Sequence, residues 1–255
     1  MKGAYKSAIL IFSALFLFFL SSQSQTAPEV KELTYRAYTL GKIDLWKEAL
    51  VMAESNFQES GCDSALHDVV MVQYAYISFC IAEGYKKEGR ELLSSAYENI
   101  EKIETGWWQE ADLLAINASL AALELNLYPQ KMMKLVPLAL ELTDQAYETD
   151  NNNYMALACK ANMLNFTPKM FGGSPTEAIP LYKKIITLYE TNQEDATNNW
   201  RYVSTLVTLA GTYENLNMYK EACKVYEQII EFDNNINWIN TKLYPDCKAN
   251  LLKQK

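Results

Sequence analysis

YVSTLVTLAGTYENL (Tyr202–Leu216) runs directly into NMYKEACKVYEQIIEF (Asn217–Phe232), and the reading of this pair decides the fold. In the second half, Ala222, Val225, Tyr226, Ile229 and Ile230 recur at the i, i+3, i+4, i+7 spacing that places apolar side chains on one face of a helix. Leu206, Leu209, Ala210 and Tyr213 do the same in the first half. Two such helices joined by a tight turn form an antiparallel hairpin. One hairpin cannot bury its outer apolar surface alone, so the sequence has to supply neighbours.

It does so at a regular interval. Segments resembling the second helix begin at Asp44, Gly84, Pro129, Ser174 and Asn217, which are 40, 45, 45 and 43 residues apart. A helical stretch precedes each, as in Val70–Glu83 and Ala111–Leu127. A fixed period of this length marks stacked helical repeats. The expected architecture is all-α, a solenoid of about five hairpins over residues 29–60, 61–105, 106–150, 151–193 and 194–235, with a capping helix over 236–252. The joints between units are rich in asparagine, as at Asn151–Asn153, Asn192–Asn199 and Asn234–Asn235, where that residue tolerates left-handed backbone and caps the next helix.

The last unit resembles a tetratricopeptide repeat (TPR). Leu206, Leu209, Ala210, Tyr213, Tyr219, Ala222, Tyr226 and Ile229 stand at that family's spacing of small and large residues. Trp46, Ala49 and Ala53 echo it in the first unit, and Gly84, Gly89 and Ala96 in the second. The sequence departs from the family in two ways. Its unit is about 44 residues where the standard one is about 34, and the third lacks small residues around Met133–Pro137. HEAT-like hairpins have the longer period and stand as the alternative. The TPR resemblance implies a right-handed superhelix with the first helix of each hairpin lining a concave side.

Lys2 and Lys6, an apolar run from Ala8 to Leu20 and small residues before a cut after Ser24 read as a signal peptide over residues 1–24. The expectation is an exported chain, periplasmic or secreted, without a later segment long enough to span a bilayer. Removing the leader takes two lysines and moves the net charge from −8 to −10. With no basic cluster along the chain, that field argues against nucleic-acid partners and direct membrane insertion. The five cysteines lack CxxC spacing, so no metal or redox motif is readable. Cys80, Cys159 and Cys223 fall in apolar helical runs. Cys223 and Cys247, on successive helices, are the pair to consider for a disulfide.

FGGSPTEA (Phe171–Ala178) has two readings. Gly172, Gly173 and Ser174 ahead of a helix could turn backbone N–H groups toward an anion. Alternatively Ser174 caps the helix, Pro175 takes its first position and Glu177 closes a capping box. A P-loop would need a preceding strand and a Gly-Lys-Ser/Thr, and the stretch has neither, so the capping reading is preferred. The long turn, with Met170 and Phe171 exposed, resembles turns in the periplasmic T component associated with TRAP transporters, a likeness covering Tyr154 to Leu188. Five-repeat outer-membrane assembly lipoproteins are similar in length, but this chain has no lipidated cysteine after its leader.

Nothing in the sequence points to catalysis or to a cofactor. There is one histidine, His67, expected at the surface or as a cap, and there is no HExxH, GxSxG or Walker A stretch. Trp107 and Trp108 either pack as a staple or offer one ring to a ligand. By helical phase, Tyr74, Ser78, Asn117, Asn162, Ser204 and Glu214 are groove candidates. The expected function is a non-catalytic binding scaffold holding a peptide or protein partner in its concave groove, with homo-oligomers possible. A periplasmic small-molecule-binding accessory subunit of a transporter is the alternative, with Trp107, Trp108, Met170 and Phe171 near its pocket. The first predicts a groove open at both ends, the second a closed apolar cavity.

Overall fold

The structure, a computed structural model, describes residues 26–103, 108–191 and 193–254. The leader and Trp107 lie outside the described residues. Every regular element among those described is helical. Five hairpins follow one another: α1 (Pro28–Leu40) with α2 (Ile43–Ser60), α3 (Asp63–Glu83) with α4 (Lys86–Ile100), α5 (Glu110–Leu127) with α6 (Met132–Thr149), α7 (Tyr154–Phe166) with α8 (Pro175–Thr191), and, after the one-turn α9 (Gln193–Ala196), α10 (Trp200–Asn215) with α11 (Tyr219–Phe232). A π-turn over Ile239–Leu243 leads into the terminal α12 (Tyr244–Lys253). The long period is explained by helix length, since α2, α5 and α6 have 18 residues each and α3 has 21.

Neighbouring hairpins share their cores. Ala49 and Ala53 of α2 pack with Val69 and Val72 of α3. Leu93 and Ala96 of α4 pack with Ile116 and Leu120 of α5. Ala146 of α6 joins Ala156 and Cys159 of α7, and α7 through α11 contribute to one large cluster. Small residues set the helix approach. A Cβ on Gly89 would stand 3.3 Å from Cys80 Cβ and 3.4 Å from Leu127 Cδ2, so α4 lies close to both α3 and α5. The asparagines act as their backbone position requires. Asn153 Oδ1 accepts from the N–H groups of Met155 and Ala156 at 2.8 and 3.0 Å, and Asn199 Oδ1 accepts from Arg201 N–H at 3.0 Å.

α3 corrects one expectation, because within its 21 residues an 18-residue window has a mean hydropathy of 1.4, long and apolar enough to cross a membrane. Burial inside the protein accounts for that composition: 67% of the apolar window is covered by the other helices. His67 is corrected as well. It lies within α3, its ring 4.7 Å from that of Trp108 and its Nδ1 3.4 Å from Asp68 Oδ1, so it is a packing residue and neither a surface group nor a cap.

The FGGSPTEA turn is structural. The N–H groups of Phe171 and Gly173 donate to Pro168 O at 2.8 and 3.3 Å, that of Gly172 to Lys169 O at 3.1 Å, and that of Ser174 to Leu164 O at 2.7 Å. All four are satisfied, three within the turn and that of Ser174 by α7, leaving no cradle for an anion. Since Ser174 N–H is taken by Leu164 O, the expected capping box with Glu177 is also replaced by a tie back to the preceding helix. Gly172 has φ +92°, and a Cβ on Gly173 would fall 1.7 Å from Thr167 O. We expect Gly173→Ala to cost about 3 kcal/mol or more, because backbone must move to admit one methyl. Gly211→Ala, at an open helical position in α10, should instead gain up to about 1 kcal/mol. Denaturant unfolding of the two variants measures both, and equal stabilities would refute the steric argument.

Candidate functional site

The two ends of the solenoid meet. α1 packs against α10 of the fifth hairpin, and Tyr35 belongs to the cluster built mainly by α7–α11. Tyr35 Oη donates to Asp233 Oδ2 at 2.6 Å, and Trp238 Nε1 donates to Thr39 O at 2.9 Å. Burial opposes ionisation of Asp233, yet the bonds it accepts from Tyr35 and from Asn235 outweigh that and hold its carboxyl below the usual value. At the centre of the closure, the Trp200 ring lies 6.0 Å from Tyr38, 6.2 Å from Tyr74 and 6.4 Å, edge on, from Trp46. The chain is a closed ring of hairpins, not an arc with open ends.

Closure leaves little room inside. The inner cavity is about 80 Å³ and is lined by Tyr74, Ser119, Asn162, Trp200, Arg201 and Ser204 among others. Ligand pockets run to roughly 300–1,000 Å³, so this one has space for a few waters or a small ion and none for an extended peptide. Its phenols are strongly desolvated. Burial pushes Tyr74 up to about 12 against the pull of Arg201 and a hydrogen bond with Ser119; Tyr38, beside Trp200 and outside the cavity lining, is pushed up to about 12 by burial against a bond with Ser204. Tyr182 Oη donates to Asn162 Oδ1 at 2.8 Å.

Tyr74, Asn162 and Ser204 therefore come together as expected of inward-facing residues, but in a cavity and not in a groove. The other candidates lie elsewhere. Ser78 Oγ donates to Tyr74 O and Asn117 Nδ2 to Leu113 O, both within their own helices. Glu214 accepts from Tyr226 Oη at 3.2 Å, and burial raises its carboxyl. Trp108 is 5% exposed and packs with Val70, Met71, Leu93 and Ile116, which makes it a staple between the second and third hairpins and removes it as a ligand platform. Met170 and Phe171 are exposed on a turn, away from the cavity. Helical phase also contained the signal for what was missed, since Trp200 and Thr208 flank Ser204 at i−4 and i+4.

Cys223 of α11 and Cys247 of α12 form a disulfide, Cα–Cα 5.9 Å, which pins the terminal helix to the fifth hairpin. Exposed Cys62 is pulled down to about 7 by hydrogen bonds with Ser60 and Ser64. Among the described residues, no group of three or more His, Cys, Asp or Glu is placed to hold a metal ion.

The two edges of the ring differ in chemistry. Stacked hairpins put all their internal turns on one edge and all their links on the other. The internal turns, residues 40–43, 84–87, 128–134, 166–174 and 216–220, carry seven lysines and no acid. Exposed apolar side chains occur on each of them: Leu40 on the first, Tyr85 on the second, Met132 and Met133 on the third, Phe166, Met170 and Phe171 on the fourth, Met218 on the fifth. The opposite edge presents Glu59, Asp63, Glu101, Asp150, Asp195 and Asp233, with Lys102 in one link and Lys184 reaching Asn151 O in another at 2.7 Å. Along the chain itself no basic cluster stands. The lysines are scattered in sequence at the repeat period, and stacking gathers them.

Comparison with known proteins places the tetratricopeptide repeat family on residues 203–236, the fifth hairpin. A crystal structure of a point variant of a Podosopora anserina kinesin light chain protein with nearly identical TPR-like repeats is 18% identical, covers 84% of this chain and 96% of its own, and superposes with a TM-score of 0.36. No curated sequence matches the chain significantly.

Proposed function

We infer that this chain, a tetratricopeptide-repeat protein, is an exported, non-catalytic interaction scaffold that meets its partners on the outside of a closed ring. Repeats of this kind mediate protein–protein contacts, and the observation that carries the rest is the closure itself. With α1 seated on α10 and Trp200 across the middle, the concave side is already filled by the protein's own side chains. Export is supported by the leader pattern of residues 1–24, and a disulfide between Cys223 and Cys247 suits an oxidising compartment. The transporter-accessory reading comes second, because a cavity of about 80 Å³ is below the size of most transported solutes.

The test is affinity capture from envelope and secreted fractions with the chain from Gln25 onward, using wild type and the inward-facing Ser204→Phe. A specific protein partner retained equally by both supports an outer docking surface. Loss of that partner from a folded Ser204→Phe restores the concave site. Retention of a small molecule and no protein moves the transporter reading to the front.

A further inference from the structure

We propose that the edge formed by the five internal turns seats the ring on an anionic lipid surface, a docking mode that goes beyond the scaffold reading and does not depend on it. Two independent properties coincide on this edge. Its turns carry seven lysines and no acid in an acidic protein, with Asp44, Glu83, Glu88, Glu177 and Glu221 standing in the flanking helix ends, and they carry most of its exposed large apolar side chains. Met133, Met170 and Phe166 are 85%, 82% and 69% exposed. A soluble surface leaves such groups singly scattered, and their concentration on one edge marks a binding face.

Charge complementarity selects an anionic occupant. Among the described residues, Lys42, Lys86, Lys134, Lys169 and Lys220 have no carboxylate within 4.0 Å, whereas Lys131 pairs with Glu124 and Lys87 reaches Glu91 at 3.9 Å. Five uncompensated cations beside apolar tips match the two attractions that hold peripheral proteins on a membrane, burial of apolar groups at the acyl boundary and attraction to anionic headgroups. The acids of the opposite edge then face away from the surface, so the net negative charge does not prevent approach in this one orientation.

Shape selects a bilayer over a protein. The apolar groups project from the tips of five separate turns around a ring, and the fourth turn is lengthened by Lys169–Phe171, a one-turn helix that carries two of the most exposed groups. A partner helix, about 10–12 Å across, would cover one or two turns and leave the rest bare. A planar, deformable surface contacts all of them at once. The rigidity that closure confers keeps the tips on one side without any ordering cost at binding.

Flotation of the purified chain from Gln25, which contains every described helix, tests this with vesicles of phosphatidylcholine alone and of phosphatidylcholine mixed with phosphatidylglycerol. Wild type should float with the anionic vesicles only, and less as salt rises. Lys86→Glu/Lys134→Glu/Lys169→Glu should weaken binding roughly a hundredfold. Met133→Ser/Met170→Ser/Phe171→Ser should weaken it roughly tenfold or more. All six positions are exposed, and an unchanged thermal melt checks that the variants fold. Failure of wild type to float with anionic vesicles at low salt, equal flotation with neutral ones, or undiminished binding by both variants overturns the proposal. So does loss of a captured acidic protein from these variants when wild type ignores vesicles, an outcome that leaves the scaffold reading standing.

Discussion

Trp200→Ala should open the ring. The substitution removes the indole on which Tyr38, Tyr74 and Trp46 converge, and loss of a large aromatic from such a site costs about 3 kcal/mol or more. The damage should be uneven. Hairpins two to four keep their own shared cores, whereas α1 loses much of what holds it to α10. Hydrogen exchange is expected to show α1 and the Tyr35–Asp233 and Trp238–Thr39 contacts opening well before α5 and α7. A uniform loss of protection, or a variant as stable as wild type, would mean that closure is not a distinct energetic element. A widened interior in that variant would also make room for ligands that wild type excludes.

The second large effect is alkaline unfolding. Burial raises the phenols of Tyr38 and Tyr74 to about 12, and those of Tyr35, Tyr182 and Tyr202 are raised further. In Tyr35 and Tyr202 the hydrogen bonds to Asp233 and Glu190 add to burial. Below the unfolded value near 10, native and unfolded chains hold the same protons, and these shifts leave stability independent of pH. Above it the unfolded chain ionises and the native one does not. Stability then falls by about 1.4 kcal/mol per pH unit for each such tyrosine until the native value is reached. Several tyrosines acting together exceed the net stability of an ordinary domain, about 5–15 kcal/mol, within about one to two units above pH 10. Helical circular dichroism and tyrosinate absorbance should therefore change together in one cooperative step. Gradual tyrosinate formation with the helix signal intact beyond about pH 12 would show that these phenols are accessible in the native ring.

How much of this could be read in advance depends on the range of each interaction. The hairpins were legible because helical periodicity is local. Ala222, Tyr226 and Ile229 share a face whatever lies beyond them, and asparagines at 153 and 199 cap helices through N–H groups two or three residues away. The cavity was partly legible for the same reason, since phase alone turns Tyr74, Asn162 and Ser204 inward. It could not exclude Ser78, Asn117 and Glu214, which satisfy their hydrogen bonds within a helix or hairpin. Trp108 was legible as a staple or as a platform, and only the packing of α3 against α5 chose the staple. The Ser174 capping box failed because the preceding helix offers Leu164 O to the same N–H.

The sequence by itself determined an all-helical chain of five repeated hairpins, with lysines and apolar residues recurring at the repeat period. Tertiary structure decided what those repeats enclose and present. Whether a solenoid closes depends on the summed rotation of hairpin upon hairpin, and small differences at each helix crossing accumulate until residues 198 positions apart, Tyr35 and Asp233, either meet or miss. Because they meet, the inner side narrows to a small cavity beside Trp200, and turns distant in sequence become one lysine-bearing, apolar edge.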